Sequence, residues 1–382
     1  MAMGKGGGLL VLVVAVAGLL LHAAGVADAQ TLRLACYNQT CRSAESIVAD
    51  EVQKAANADR SVLASLIRLH FHDCFVNVSD HGSRPFAHRP AGRRRWPSRP
   101  RVRFPQGCDG SVLLESSDGQ AEKNARPNLS LRGFDVIDRI KARLEAACAL
   151  TVSCADIVAF AARDSVKLSG GVGYAVPGGR QDGTVSRASM TGDLPPPTQR
   201  DVDQLAQYFY RKGLTLDDMV ILSGAHTVGI AHCSSFDYRL TSDQDKGMDA
   251  AFRNNLRSKC QYNPSNYAPL DAGSQYGFDA SYFANVLANR TVLDSDAALN
   301  SPRTADRVRQ WKNNPDWFKT SFASAMVKMG SIRGTYPGKV RANCRKPLAS
   351  DRCLPSATAS LSSASSIKGG SAISRLATAC LP

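Results

Sequence analysis

Apolar residues recur at helical spacing along most of the chain. Residues 43–75 carry two such segments in succession, with an apolar position every three or four residues. The same period runs through 131–148 and through 153–170, the latter closing on Gly170 and Gly171, a common way for a helix to stop. It returns in 198–214, 215–229 and 316–332. Strand-like alternation is rare and short, so the pattern predicts a mainly α protein with few short strands. Two stretches break the rhythm. Residues 78–106 hold eight Arg, five Pro and one Trp with almost no apolar periodicity. Residues 345–382 are rich in Ser, Ala and other small residues and read as a disordered C-terminal extension with no core of its own. No internal repeat is visible.

The N-terminus changes the picture. Lys5, the apolar run Leu9 to Leu21 and the A-x-A tripeptide Ala27-Asp28-Ala29 read as a signal peptide over residues 1–29. The run is too short for a comfortable membrane span, and no longer one follows. The mature chain is therefore expected to be secreted, without a membrane span. Eleven cysteines suit an oxidising compartment: Cys36, Cys41, Cys74, Cys108, Cys148, Cys154, Cys233, Cys260, Cys344, Cys353 and Cys380. Cys36 and Cys41 have the C-x4-C spacing of some iron–sulfur sites, but no C-x2-C follows. Asn38, Asn77, Asn128 and Asn289 begin N-x-S/T sequons.

The formal net charge is +14, and the Arg-rich segment 78–106 supplies +7 of it. Most such charge is solvated surface. A cell-wall polyanion or a membrane surface is the more specific partner it would fit. A nucleic-acid partner is not expected of a secreted chain.

Two short stretches carry candidate chemistry. In "RLHFHDCF", Arg68 and His72 are four residues apart and share a helix face, while His70 and Phe71 point elsewhere. An Arg and a His so paired suit a reaction that moves a proton while negative charge develops. Taken alone, the pair is more often a surface Arg and a satisfied His. In "DDMVILSGAHTVG", His226 ends an apolar helical run beside Ser223, Gly224 and Ala225. Small neighbours there would let something large and flat approach the backbone, with His226 as an axial metal ligand. A lone His of this kind is more often part of a core.

Taken together, "RLHFHDCF", "GCDGSVLL", "EKNARPN", "LRGFDVID", "VSCADI", "LSGAHTVG" and "VRANC" resemble, in order and rough spacing, the motifs of the plant secretory (class III) haem peroxidases. The resemblance covers residues 31–344 apart from the Arg-rich segment. It implies two helical halves sandwiching one b-type haem, in a domain spanning 30–344. It also implies a monomer that reduces hydrogen peroxide and oxidises small phenolic donors in one-electron steps. In this family the distal His takes a proton from one peroxide oxygen and delivers it to the leaving oxygen, and the distal Arg stabilises the charge that develops. His72 and Arg68 match that pair, and Phe71 matches a pocket wall. Asn128 matches the partner that keeps the distal His basic; if buried for that purpose, its sequon is not glycosylated. His226 matches the proximal iron ligand and Asp296, in "LDSDAAL", its carboxylate partner. Pro195 matches a substrate-contact proline, although the aromatic residues often found just after it are replaced by Thr198 and Gln199.

Two calcium ions are implied likewise. The distal set is Asp73, Val76, Gly107, Asp109 and Ser111, with Glu122 behind it through water. The proximal set is Thr227, Asp271, Ser274, Gly277 by its carbonyl, and Asp279. The implied disulfides are Cys41–Cys148, Cys74–Cys108, Cys154–Cys344 and Cys233–Cys260; Cys36, Cys353 and Cys380 fall outside the family set.

In the family, "DCFVN" runs straight into "GCDG", so residues 78–106 interrupt the distal calcium loop. Val78-Ser79 admits a splice-donor sequence in its codons and Gln106 an acceptor. The segment is read as an unspliced intron in frame, with a wall-binding insertion as the rival. A secreted wall-binding protein of the same fold that has lost catalysis is the alternative to the enzyme. The C-terminal extension leaves a vacuolar destination open beside the extracellular space and wall.

Overall fold

The computed structural model describes residues 32–76, 107–241, 247–261, 263, 265–332 and 339–347. The leader 1–29, the segment 78–106, Asn77, Cys353, Cys380 and the extension beyond residue 347 lie outside them. Among the described residues the fold is mainly α, as the periodicity predicts.

The first half consists of α1 (Ala44–Ala58), α2 (Val62–Phe75), α3 (Phe134–Ala147) and α4 (Cys154–Leu168). Helix α1 buries Ala44, Val48, Val52 and Ala55, a single stripe at the helical period. Helix α4 is buried nearly all round, so it must run through a core rather than cover one. Its start is capped by Ser153, whose Oγ accepts from the Asp156 N–H at 3.1 Å. Helices α2 and α4 form the most extensive helix pair. The second half is built on α5 (Val202–Tyr210), α6 (Leu216–Ser223), α7 (Asp237–Thr241), α8 (Ala250–Cys260), α9 (Ser281–Leu287), α10 (Asp294–Ala297), α11 (Ala305–Asn313) and α12 (Pro315–Gly330). Thr215 and Asp218 close a reciprocal capping box at the start of α6.

Each half has its own apolar cluster, and α2 contributes to both. Leu63, Leu66 and Leu69 face the first half, whereas Ile67, Cys74 and Phe75 face the second. A buried ion pair also joins the halves: Arg180 Nη1 lies 2.7 Å from Asp156 Oδ1 at the start of α4. The same guanidinium donates through Nε to the Gly330 carbonyl at the end of α12, at 2.9 Å. Strands β1 (Ile230–His232) and β2 (Tyr267–Pro269) pair antiparallel with Ala231 opposite Ala268. That short ribbon matters because it brings Asp271, two residues past β2, back to Thr227, three residues before β1.

All four disulfides implied by the resemblance are present: Cys41–Cys148, Cys74–Cys108, Cys154–Cys344 and Cys233–Cys260. Cys36 has no disulfide partner among the described residues. The packed chain continues past Cys344. Arg345 Nη2 lies 2.6 Å from Asp138 Oδ2, and its carbonyl accepts from the Glu115 N–H at 2.8 Å.

Candidate active site

Arg68 and His72 lie one turn apart on α2, and both are engaged from the stretch 127–130. His72 is buried, with Nδ1 2.7 Å from Asn128 Oδ1. The Asn128 amide nitrogen donates to the Glu122 carbonyl at 2.8 Å. That second bond fixes which end of the amide faces the imidazole. Oδ1 is an acceptor, so His72 carries its hydrogen on Nδ1 and Nε2 keeps its lone pair. Burial and then the Arg68 charge push the His72 pKa down to about 3, against the opposing bond to Asn128. The ring is therefore a neutral base at ordinary pH. Arg68 donates to Ser130 Oγ at 3.1 Å and to the Pro127 carbonyl at 3.0 Å. Burial lowers its pKa to about 10, which still leaves it charged at neutral pH. Asn128 is 1% exposed, so its sequon is not accessible in the folded chain.

Phe71 packs against Phe75, ring centroids 4.3 Å apart, and meets His72 edge-on at 5.7 Å. Arg68, Phe71, Ala225 and His226 all remain partly open although their neighbours are core residues. Arg68 is near enough for its charge to act on His226 as well as on His72. These partly open residues are the ones that a flat group held between α2 and the end of α6 would meet.

His226 sits in the 3-10 turn Gly224–Thr227 that ends α6. Its Nδ1 lies 2.8 Å from Asp296 Oδ1. Asp296, in the four-residue helix α10, is 1% exposed. Burial lowers the His226 pKa, but the Asp296 charge and hydrogen bond override it, and the net shift is upward. With Nδ1 committed to the carboxylate, Nε2 is the nitrogen free to bind a metal.

Gly224 has a packing reason of its own to be small. A Cβ there would meet Phe318 at 2.6 Å and Phe283 at 3.0 Å, so glycine is needed where α6 ends against α12 and α9. Ser223 turns back to the Met219 carbonyl at 2.9 Å. Ala225 remains partly open beside His226.

Below His226, Thr227 Oγ1 lies 3.3 Å from Asp271 Oδ2, 3.2 Å from the Gly277 carbonyl and 3.5 Å from Asp279 Oδ1. Ser274 Oγ is 3.4 Å from the same carbonyl. The five implied proximal residues are thus brought together as carboxylate, hydroxyl and carbonyl oxygens, a donor set that fits calcium. The Ser281 hydroxyl, which sequence reasoning missed, bonds both Asp271 and Asp279.

On the opposite side, Asp73, Asp109, Ser111 and Glu122 form a second cluster. Ser111 Oγ donates to Glu122 Oε2 at 3.2 Å, and Gly110 N–H to Asp73 Oδ2 at 2.9 Å. Asp73 Oδ1 and Glu122 Oε1 are buried without a partner. Burial and then the Asp109 charge raise Asp73 to about 7, and burial with both neighbours raises Glu122 well above its ordinary value. Carboxylates crowded in this way fit a cation. Among the described residues no three His, Cys, Asp or Glu side chains form a metal-binding group by themselves; hydroxyl and backbone oxygens have to complete these sites. Arg341 of "VRANC" also lies here, its Nη2 donating to the Gly110 carbonyl at 2.6 Å. Val76 does not fit as simply. Its carbonyl accepts from Lys212 Nζ, so a positive charge already sits at the oxygen the resemblance gives to calcium.

Gly107 packs directly on α2. A Cβ on it would fall 2.1 Å from the Cys74 carbonyl oxygen, so no other residue fits. The Cys108 N–H donates to the Asp73 carbonyl at 3.1 Å. The chain therefore re-enters the described structure at Gly107 beside the point where it leaves at Val76. Pro195 is half-buried, in a loop tied to α10 by the Ser295 N–H donating to the Pro197 carbonyl at 3.0 Å.

A pattern describing the peroxidase family matches residues 48–314. The chain is 45% identical over 328 residues to peroxidase 5 of Vitis vinifera, covering 82% of this chain and 91% of that protein. It is 42% identical to peroxidase 1 of Zea mays, covering 87% of each, and 42% identical to peroxidase 2 of Oryza sativa subsp. japonica, covering 86% of this chain and 96% of that one. The chain belongs to the peroxidase family, in its plant class III branch, and is a peroxidase. Membership implies haem and calcium in general terms, and hydrogen peroxide with a reducing donor as substrates.

Proposed function

We propose that this is a secreted peroxidase in which His72 is the distal base, Arg68 its electrostatic partner and His226 the protein ligand of one b-type haem. The observation that carries the reading is the pair of oppositely tuned histidines. Asn128 holds His72 as a neutral base through a 2.7 Å bond, and Asp296 draws on His226 through a 2.8 Å bond. The haem, when bound, supplies the redox chemistry that cleaves the O–O bond and accepts single electrons from donors.

The side chains supply the rest. His72 Nε2 takes the proton from one peroxide oxygen and returns it to the other, so that the leaving oxygen departs as water. Arg68, charged and anchored on Ser130 and Pro127, stabilises the negative charge that develops as that bond lengthens. Phe71 walls the haem site. Over a turnover one peroxide becomes two waters, and two donor molecules each give up one electron and one proton. Small phenols are the donor class, with the loop of Pro195 as their approach. Asp271, Asp279, Thr227, Ser274 and Gly277 hold one calcium; Asp73, Asp109, Ser111, Gly107 and Glu122 hold a second.

The protein acts as a monomer in the extracellular space or wall, in removal of hydrogen peroxide and oxidation of wall phenolics under oxidative stress. A vacuolar destination through the extension after 344 is the alternative to the wall, and the segment 78–106, where it is translated, gives a contact for wall polyanions. Among the described residues no helix is long and apolar enough to cross a membrane. Purified protein is expected to show a haem absorbance band and peroxide-dependent guaiacol oxidation. Haem binding without guaiacol turnover would favour the wall-binding protein of the same fold instead.

A further inference from the structure

The Asp296 carboxylate is shared unevenly. His226 Nδ1 lies 2.8 Å from Oδ1, and the Tyr282 hydroxyl donates to the same oxygen at 2.7 Å. The other oxygen, Oδ2, is buried with no partner. Tyr282 is 1% exposed, and its ring meets the His226 ring edge-on with centroids 6.3 Å apart. Its position is fixed from both sides. Ser281, the residue before it, is held by Asp271 and Asp279, and Phe283, the residue after it, packs against Phe318 at 4.8 Å.

An oxygen that accepts two hydrogen bonds divides its negative charge between them. The phenol therefore weakens the pull of Asp296 on the His226 N–H. We propose that Tyr282 is a positioning residue that limits the anionic character of the His226 imidazole, and so sets how strongly His226 Nε2 donates to the metal. The proposal rests on the reading of His226 as the iron ligand. It predicts an effect opposite in sign to that of losing the carboxylate. Without the phenol hydroxyl, Asp296 pulls harder on the N–H and the imidazole donates more; with an amide in place of the carboxylate, it donates less.

The test uses the full-length holoprotein and two readouts that do not depend on turnover: the iron–histidine stretching band of the reduced protein by resonance Raman, and the midpoint potential of the haem. Tyr282→Phe keeps the ring and removes the hydroxyl. It is expected to move the stretching band up and the potential to more negative values. Asp296→Asn is expected to move both the other way. Incorporation of 3-fluorotyrosine at position 282 makes the phenol a stronger donor in an otherwise unaltered core, and is expected to lower the band. A Tyr282→Phe band that stays in place or falls, or a 3-fluorotyrosine band that does not fall, overturns the proposal, since loss of packing alone would loosen His226 and lower the band. If the unsubstituted protein shows no iron–histidine band at all, the assignment of His226 fails first and the proposal with it.

Discussion

His72 Nδ1 lies 2.7 Å from Asn128 Oδ1, while Asn128 Nδ2 is committed to the Glu122 carbonyl at 2.8 Å, and the two bonds together make Nε2 the basic nitrogen of the ring. Asn128→Val removes that orientation and leaves the His72 N–H unpaired. The reaction with peroxide is expected to slow by about 10–100-fold, the usual cost of losing such a partner. Asn128→Asp keeps an acceptor for the His72 N–H but puts an oxygen in place of the donor to the Glu122 carbonyl, so its rate is expected to fall between those of the parent and the Val variant. Stopped-flow mixing with peroxide compares the three proteins; a Val variant as fast as the parent would show that His72 needs no orienting partner.

The pH profile follows from the same burial. In the proposed role His72 works as the neutral form, and burial, then Arg68, hold its pKa near 3 rather than near 6.5. The base is lost by protonation as pH falls through about 3, so the rate with peroxide is expected to stay flat from neutral pH down to about 4 and to drop below that. A midpoint near 6.5 would mean that the imidazole is solvated.

Calcium is expected to stabilise the fold through its two oxygen clusters. An ion present at about a hundred times its dissociation constant contributes about 2.7 kcal/mol per site. Chelation should lower the melting temperature, and Asp73→Asn should weaken calcium binding on the α2 side alone, because Asp73 Oδ1 is buried there without another partner. Calorimetric titration resolves the two sites. A melting temperature that chelation leaves unmoved counts against both.

The segment 78–106 has a separate consequence. Val76 and Gly107 bracket it, and Gly107 packs on the carbonyl of Cys74. Joining Asn77 to Gly107 directly shortens a loop whose ends the Cys74–Cys108 disulfide ties together in the unfolded chain as well, so the gain is less than the roughly 3 kcal/mol of closing an open loop of that length. The shortened protein is expected to melt higher and to bind calcium more tightly near Asp73. Equal melting temperature and equal affinity in the two forms would refute this. Sequencing the transcript across the junction addresses the intron reading directly: a dominant message that includes the segment contradicts it.

Much of this was legible in the sequence, for reasons that differ by element. Helices α1 to α4 announce themselves because their buried positions repeat at the helical period. Helix α11 does not, since only Ala305, Val308 and Trp311 are buried among charged residues. Helix α8 buries Leu256 alone and is held by the Asp249 cap and the Cys233–Cys260 disulfide. Arg68, His72 and His226 drew attention as residue types in suggestive places, but only the resemblance linked them to Asn128 and Asp296. Tyr282 and Ser281 went unnoticed, because a tyrosine and a serine in a short helix carry no signal until α9 is folded against His226. Gly224 was legible as a constraint but not as to its cause, which lies in Phe283 and Phe318, residues 59 and 94 positions away in the chain. Lys212 at the Val76 carbonyl is likewise a contact that only the fold creates.

In the proposed division of labour His72 is the base for peroxide and His226 the ligand that keeps the haem. Stopped-flow measurement of the rate at which peroxide alters the haem spectrum, in the parent and in His72→Ala, separates the two roles. The variant is expected to retain haem, because His226 and Asp296 are untouched, and to react with peroxide about 10²–10⁴-fold more slowly, a loss of about 3–5 kcal/mol. A His72→Ala protein that holds haem and reacts with peroxide at the parent rate would contradict the account.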